Sequence, residues 1–230
     1  VKAFGTTRRL PAFERQRVLR RIAHNISQRK EEFSRVLAQE AGKPIKASRS
    51  EVDRAIFTFN VAAEESTRIY GEFLPLDWQE FTAGRWGIVR RFPLGPVAGI
   101  TPFNFPLNLV AHKVAPAIAS GCSMILKPAP QTPLSSILLA EAVQEAGWPD
   151  GGLNVLPLSN EDAGVLVADD RIKLISFTGS ARVGWLIKQN AGKKKVVLEL
   201  GGNAGVIVHN DTDVVYAAER CVAGGFGYAG

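Results

Sequence analysis

Four short segments of this 230-residue chain set a polar, chemically competent side chain beside proline or glycine. In Thr101-Pro102-Phe103-Asn104-Phe105-Pro106 two prolines bracket an asparagine. Proline fixes its own backbone angle, so the amide is presented in a defined direction. Such an amide can donate to a developing oxyanion, or it can cap the helix that follows. Lys127-Pro128-Ala129-Pro130 offers an ammonium suited to phosphate or ribose. The same lysine can instead snorkel at a sheet edge. Phe177-Thr178-Gly179-Ser180, with Gly184 beyond it, combines close backbone approach with the free amides of a helix start, which attract phosphate. The usual fingerprint of three spaced glycines is missing, so a plain tight turn is the other reading. Glu199-Leu200-Gly201-Gly202-Asn203 supplies a carboxylate before two glycines, either a general base in a cleft or a surface glutamate before a turn.

The elements that must position these residues follow from apolar spacing. Over residues 13–41 the spacing of Val18, Ile22, Ile26, Phe33 and Leu37 predicts one helix, stopped by Gly42 and Pro44. Residues 48–70, with Val52, Ile56, Phe59 and Ala63 on one face, predict a second. Together they predict a helical hairpin lying on the rest of the molecule. Residues 72–85 read as irregular connection and residues 86–92 as a strand.

From Pro96 onward short apolar strands alternate with helices. Strands are expected at 97–101, 123–127, 153–156, 173–178, 196–200 and 206–208. Helices are expected at 107–120, 132–146, 161–168, 181–191 and from 213 to 221. This alternation is the pattern of an α/β fold, a Rossmann-like, mostly parallel sheet with helices on both faces. Ligands of such sheets bind outside the carboxyl ends of the strands. All four segments fall just after an expected strand. The organisation expected is a helical region over 1–85 and a cofactor-binding domain over 86–230.

Composition narrows the classes. Hydrophobic residues make up 46% and charged residues 22%, the balance of a globular protein with a sizeable core. No apolar run is long enough to span a bilayer, and the first residues carry no secretory signal. The net charge is +6, but the basic residues are spread out and lack the interleaved aromatics of a single-strand binder, so no nucleic-acid partner is expected. A basic balance also suits a protein that binds polyanionic dinucleotides. Two distant cysteines, Cys122 and Cys221, make neither a disulfide framework nor a zinc site and are expected to be buried free thiols in a reducing cytoplasm.

Taken in order, the segments resemble the aldehyde dehydrogenase superfamily over essentially the whole chain. The resemblance runs through 95–121, Lys127-Pro128, Phe177 to Ser180 and 198–203. It implies oxidation of an aldehyde to a carboxylic acid through a cysteine thioester, with NAD or NADP as cofactor. It assigns Asn104 to the oxyanion and Glu199 to the general base. It places Lys127 at the adenosine ribose and Gly179 and Ser180 beside the pyrophosphate. Thr101, Pro102, Phe103, Pro130, Phe177, Thr178, Leu200 and Gly201 complete the expected cofactor contacts. Phe103 resembles branches that act on lactaldehyde, semialdehydes or glyceraldehyde phosphate. It also implies a homodimer or homotetramer.

Two departures carry expectations of their own. The family's nucleophilic cysteine follows a run that 225–230 resembles, and neither Cys122 nor Cys221 stands at its place. The chain therefore reads as the front portion of a longer enzyme, trimmed at its start and inactive alone. A non-catalytic dinucleotide-binding module is the rival reading. Pro130 stands where NAD-preferring relatives often carry an acidic residue for the ribose hydroxyls. Its neutrality removes repulsion toward a 2′-phosphate and favours acceptance of NADP.

Overall fold

The computed structural model describes residues 1–227. Its centre is a five-stranded parallel sheet built from β3 (Val97–Ile100), β4 (Met124–Lys127), β5 (Leu153–Val155), β6 (Leu174–Gly179) and β7 (Lys195–Leu200). The order across the sheet is β5-β4-β3-β6-β7. The chain runs outward from β3 in one direction, returns, and runs outward in the other. The strand order therefore reverses between β3 and β6, and open α/β sheets bind their ligands outside the strands' carboxyl ends at such a point.

Two apolar cores flank the sheet. On one face α5 (Asn108–Ala119) and α6 (Leu134–Glu145) lie under the N-terminal helices α2 (Ala12–Gln28), α3 (Lys30–Ala41) and α4 (Ile45–Ser66). Leu19, Ile22, Ile26, Phe33, Leu37 and Phe59 are fully buried there. Burial of each contributes about 2 kcal/mol. The opposite face carries α7 (Ala163–Ala168) and α8 (Ala181–Asn190), with Ala98, Ile175, Phe177 and Ile187 between them and the sheet. β3 is covered on both sides, which explains its continuous apolar run.

The N-terminal region departs from a two-helix hairpin. A short α1 (Lys2–Thr7) precedes it, and the single helix expected over 13–41 is broken at Arg29 into α2 and α3. No proline or glycine marks the break. Arg29 forms ion pairs with Glu32 and with Glu141 and Glu145 on α6, so tertiary contacts override the local helical preference.

Residues 72–85 are not wholly irregular. β1 (Glu72–Pro75) pairs antiparallel with β2 (Trp86–Val89), and the Phe73 and Trp86 rings meet at 5.4 Å. Every residue of β1 is exposed, so no buried alternation marked it as a strand. The strand expected at 206–208 does not form; Val206, Ile207 and Val208 are exposed, and no neighbouring strand pairs with them among the described residues. α9 (Val214–Phe226) has no buried residue, and Cys221 on it is exposed, whereas the sequence led us to expect two buried thiols. Cys122 is buried. Among the described residues no helix is long and apolar enough to cross a membrane.

Candidate active site

The predicted residues converge on one edge of the sheet. Strand register places Ile100 beside both Lys127 and Phe177, and Thr178 beside Glu199. The four adjacent strands therefore end at the same edge of the sheet, β6 and β7 running two residues past the ends of β3 and β4. Lys127, the turn from Thr101 to Asn104, the segment from Phe177 to Ser180, and Glu199 with Leu200 and Gly201 follow one another across that edge.

At the end of β3 the Thr101 amide donates to the Lys127 carbonyl at 3.2 Å. Thr101 is buried, and its hydroxyl oxygen has no hydrogen-bond partner. Pro102 is half-buried and Phe103 exposed. Asn104 Oδ1 accepts from the Phe105 amide at 3.1 Å, which fixes the plane of the side chain. The amides of Leu107 and Asn108, at the start of α5, go to a different acceptor. Glu51 Oε1 takes both, at 2.9 and 3.0 Å.

Lys127 is almost wholly buried, and its Nζ donates to Asn160 Oδ1 at 2.7 Å. Burial holds its pKa below the ordinary lysine value, while the nearby Glu161 carboxylate opposes that shift. Pro130 lies exposed past the same strand. At the start of α6, Glu40 accepts from the amides of Leu134 and Ser135 at 2.7 and 3.1 Å.

Phe177 points inward. A Cβ on Gly179 would lie 2.5 Å from its ring, and one on Gly184 would press on the same ring and on Leu200. These glycines let α8 sit down closely on the sheet behind Ser180. Ser180 Oγ accepts from the Val183 amide at 3.4 Å as the helix cap.

One residue that the sequence reading missed stands in the middle of this group. Lys113, on α5, extends beneath the sheet ends and donates to Ser176 Oγ at 3.0 Å and Thr178 Oγ1 at 2.9 Å. Gly99 makes room for it, since a Cβ there would sit 3.3 Å from the lysine's Cδ. Burial pushes the Lys113 ammonium down to about 8, and the Glu199 carboxylate raises it in opposition. A signal was present. Lys113 falls three residues after Val110, on the buried face of a helix whose other polar residues are only Asn108 and His112.

The site holds donors for anionic and hydroxylic groups, a carboxylate beside a buried ammonium, and a glycine-lined helix start. Among the described residues no group of three or more His, Cys, Asp or Glu is placed to hold a metal ion. Part of the 225–230 segment compared with the run before the nucleophile, residues 228–230, lies outside the described residues.

Comparison with known proteins shows the family to which the chain belongs. A family model described as the aldehyde dehydrogenase family matches residues 1–230. The chain is 45% identical over 219 residues to the 3-sulfolactaldehyde dehydrogenase of Priestia aryabhattai, covering 95% of this chain and 46% of that protein. The crystal structure of aldehyde dehydrogenase 21 from Physcomitrella patens, in complex with the product succinate, superposes with a TM-score of 0.93 at 51% identity. That match covers 99% of this chain and 48% of the other. Glyceraldehyde-3-phosphate dehydrogenase GapN from Methanocaldococcus jannaschii, complexed with NADP, superposes at 0.91 with 41% identity, over 98% of this chain and 49% of that one. The chain thus spans about half the length of the relatives it matches. On the family match along its whole length and on these likenesses, the chain belongs to the aldehyde dehydrogenase family.

Proposed function

We propose that the carboxyl-end edge of the sheet binds NAD or NADP, and that the whole protein uses it to oxidise an aldehyde to a carboxylic acid. The observation that carries this reading is that four adjacent parallel strands end on one edge of the sheet, around the point where strand order reverses. That brings Thr101 to Asn104, Lys127, Gly179 with Ser180, and Glu199 to one edge of the sheet, the place where open α/β sheets bind ligands.

The residues present fit a dinucleotide. Thr101 offers a buried hydroxyl with no partner, and Lys127 a buried ammonium held only by a neutral amide. Three helices of ten or more residues begin at this edge. Protein carboxylates already occupy the first amides of α5 and α6. α8 carries only its own Ser180 cap, so its start is the one that suits a pyrophosphate. Pro102, Phe103, Leu200 and Gly201 would border the nicotinamide end, and Phe177 and Thr178 would support the turn from below. The bound nicotinamide would accept the hydride taken from the aldehyde carbon.

In this reading Asn104 donates its side-chain N–H to the oxygen that becomes negative when the aldehyde carbon is attacked. Glu199 draws the proton from the water that releases the acid. Lys113, two hydrogen bonds deep beneath it, sets the field around that carboxylate.

NADP is accepted alongside NAD. Pro130 sets no negative charge beside the ribose, and Glu161, the carboxylate that acts on Lys127, is solvent-exposed and screened. M. jannaschii GapN, similar across nearly all of this chain, was solved with NADP. Several relatives' names point to small aldehydes bearing an anionic group, such as 3-sulfolactaldehyde and succinate semialdehyde, and others to neutral lactaldehyde. Free thiols suit a cytoplasmic setting. The exposed Phe73, Trp86 and Ile88 of the β1–β2 hairpin suit a homodimer or homotetramer.

The test is a thermal-stability titration of the chain with NAD and with NADP. A ligand that binds the native state raises the midpoint. Both cofactors raise it for wild type, and Lys127→Ala reduces the rise. Equal midpoints with and without either cofactor would overturn the reading.

A further inference from the structure

Glu51 is a carboxylate buried to 1% exposure on α4, more than fifty residues before the turn it touches. One oxygen accepts from the amides of Leu107 and Asn108, and the other accepts from Lys43 Nζ. Lys43 in turn donates to the Asn104 carbonyl at 3.2 Å and lies 5.1 Å from the centre of the Phe105 ring. The Arg54 guanidinium lies 5.2 Å from the same ring. Residues 43–54 therefore grip Asn104, Phe105, Leu107 and Asn108 together. A second carboxylate repeats the device one strand over, where Glu40 holds the first amides of α6 just past the Lys127 turn.

A carboxylate at a helix start is favoured by the helix dipole, and a buried one persists only when paired and hydrogen-bonded. Each of the two turns is thus fixed at both ends, by its strand on one side and by a capped helix on the other. We propose that Glu51 with Lys43, and Glu40, are positioning residues. Through them the N-terminal helices set the direction of the Asn104 amide and the placement of the Lys127–Pro130 turn. This rests on the proposed ligand-facing role of those two turns.

The test follows asparagine-labelled protein by NMR, reading the Asn104 side-chain amide and the Asn108 backbone amide, with Asn154 and Asn190 as distant controls. The double variant Lys43→Met/Glu51→Gln removes both charges while keeping shape, so the fold is retained. The expected result is displaced Asn104 and Asn108 signals, unmoved controls, and wild-type Asn104 signals in Lys43→Arg. Unmoved Asn104 signals in the folded double variant would show Glu51 and Lys43 to be structural only. Glu40→Ala, at a half-exposed site, gives a second reading independent of that variant's folding. It speeds hydrogen exchange at Leu134 and Ser135 and raises the NADP dissociation constant by about tenfold. An unchanged constant, with wild type binding NADP, would overturn the Glu40 half. If wild type binds neither NAD nor NADP, the cofactor reading fails, and the Asn104 signals still decide the role of Glu51 and Lys43.

Discussion

Lys113 reaches from α5 to Thr178, donating from Nζ to Oγ1 at 2.9 Å, at the strand position that pairs with Glu199. This relationship puts a buried ammonium under the carboxylate proposed as general base. Its pKa of about 8 lies below the ordinary 10.5, so between those values the unfolded chain binds the extra proton. Stability therefore rises as pH climbs from about 8 toward 10.5. Urea unfolding of wild type and Lys113→Met isolates this group. The difference moves in favour of wild type across that window, by up to about 3 kcal/mol. A constant difference would mean that Lys113 titrates as an ordinary surface lysine.

Two glycines of the candidate site should respond differently to a methyl group. Gly179→Ala drives a Cβ into the Phe177 ring, while a Cβ on Gly202 meets nothing within 4 Å. The first substitution is expected to lower stability by about 1–3 kcal/mol, the second to change it by less than about 0.5. Denaturant midpoints measure both. Equal effects would show that α8 does not depend on close approach at Gly179.

Pro130→Glu places a carboxylate where the ribose is expected. Like charges across a short gap raise the cost of a 2′-phosphate, and a carboxylate can accept from the ribose hydroxyls of NAD. Calorimetric titration should show NADP affinity falling at least about tenfold while NAD affinity holds or improves. A parallel loss of both would argue that position 130 shapes the turn rather than reading the ribose.

Thiol accessibility gives a simpler check. Cys221 is exposed and Cys122 buried. A thiol reagent should modify one cysteine of the native chain rapidly and the second only after unfolding. Two rapid equivalents would contradict the packing around Cys122.

The sheet was readable because its central strand is buried on both faces and leaves an unbroken apolar run at 97–100, with turn residues at its end. The placement of the candidate residues was readable for a related reason, since proline and glycine mark the strand ends where Asn104, Lys127, Gly179 and Glu199 stand. What escaped depends on partners distant in sequence. Arg29 breaks a helix because of carboxylates more than a hundred residues away. β1 exists only by pairing with β2, and no burial pattern announced it. Val206 to Val208 has the strand composition but no pairing partner among the described residues. Lys113 and Glu51 escaped because a single charged residue in a helix reads as solvated until the opposing elements are placed against it.

Hydrogen exchange of the chain with and without saturating NADP tests whether the carboxyl-end edge of the sheet forms the cofactor site. Added protection is expected at residues 101–104, 127–130 and 177–184, the prolines aside, with none at the opposite edge of the sheet around Lys173 and Lys195. Protection confined to that opposite edge, or to the N-terminal helices, would contradict that assignment.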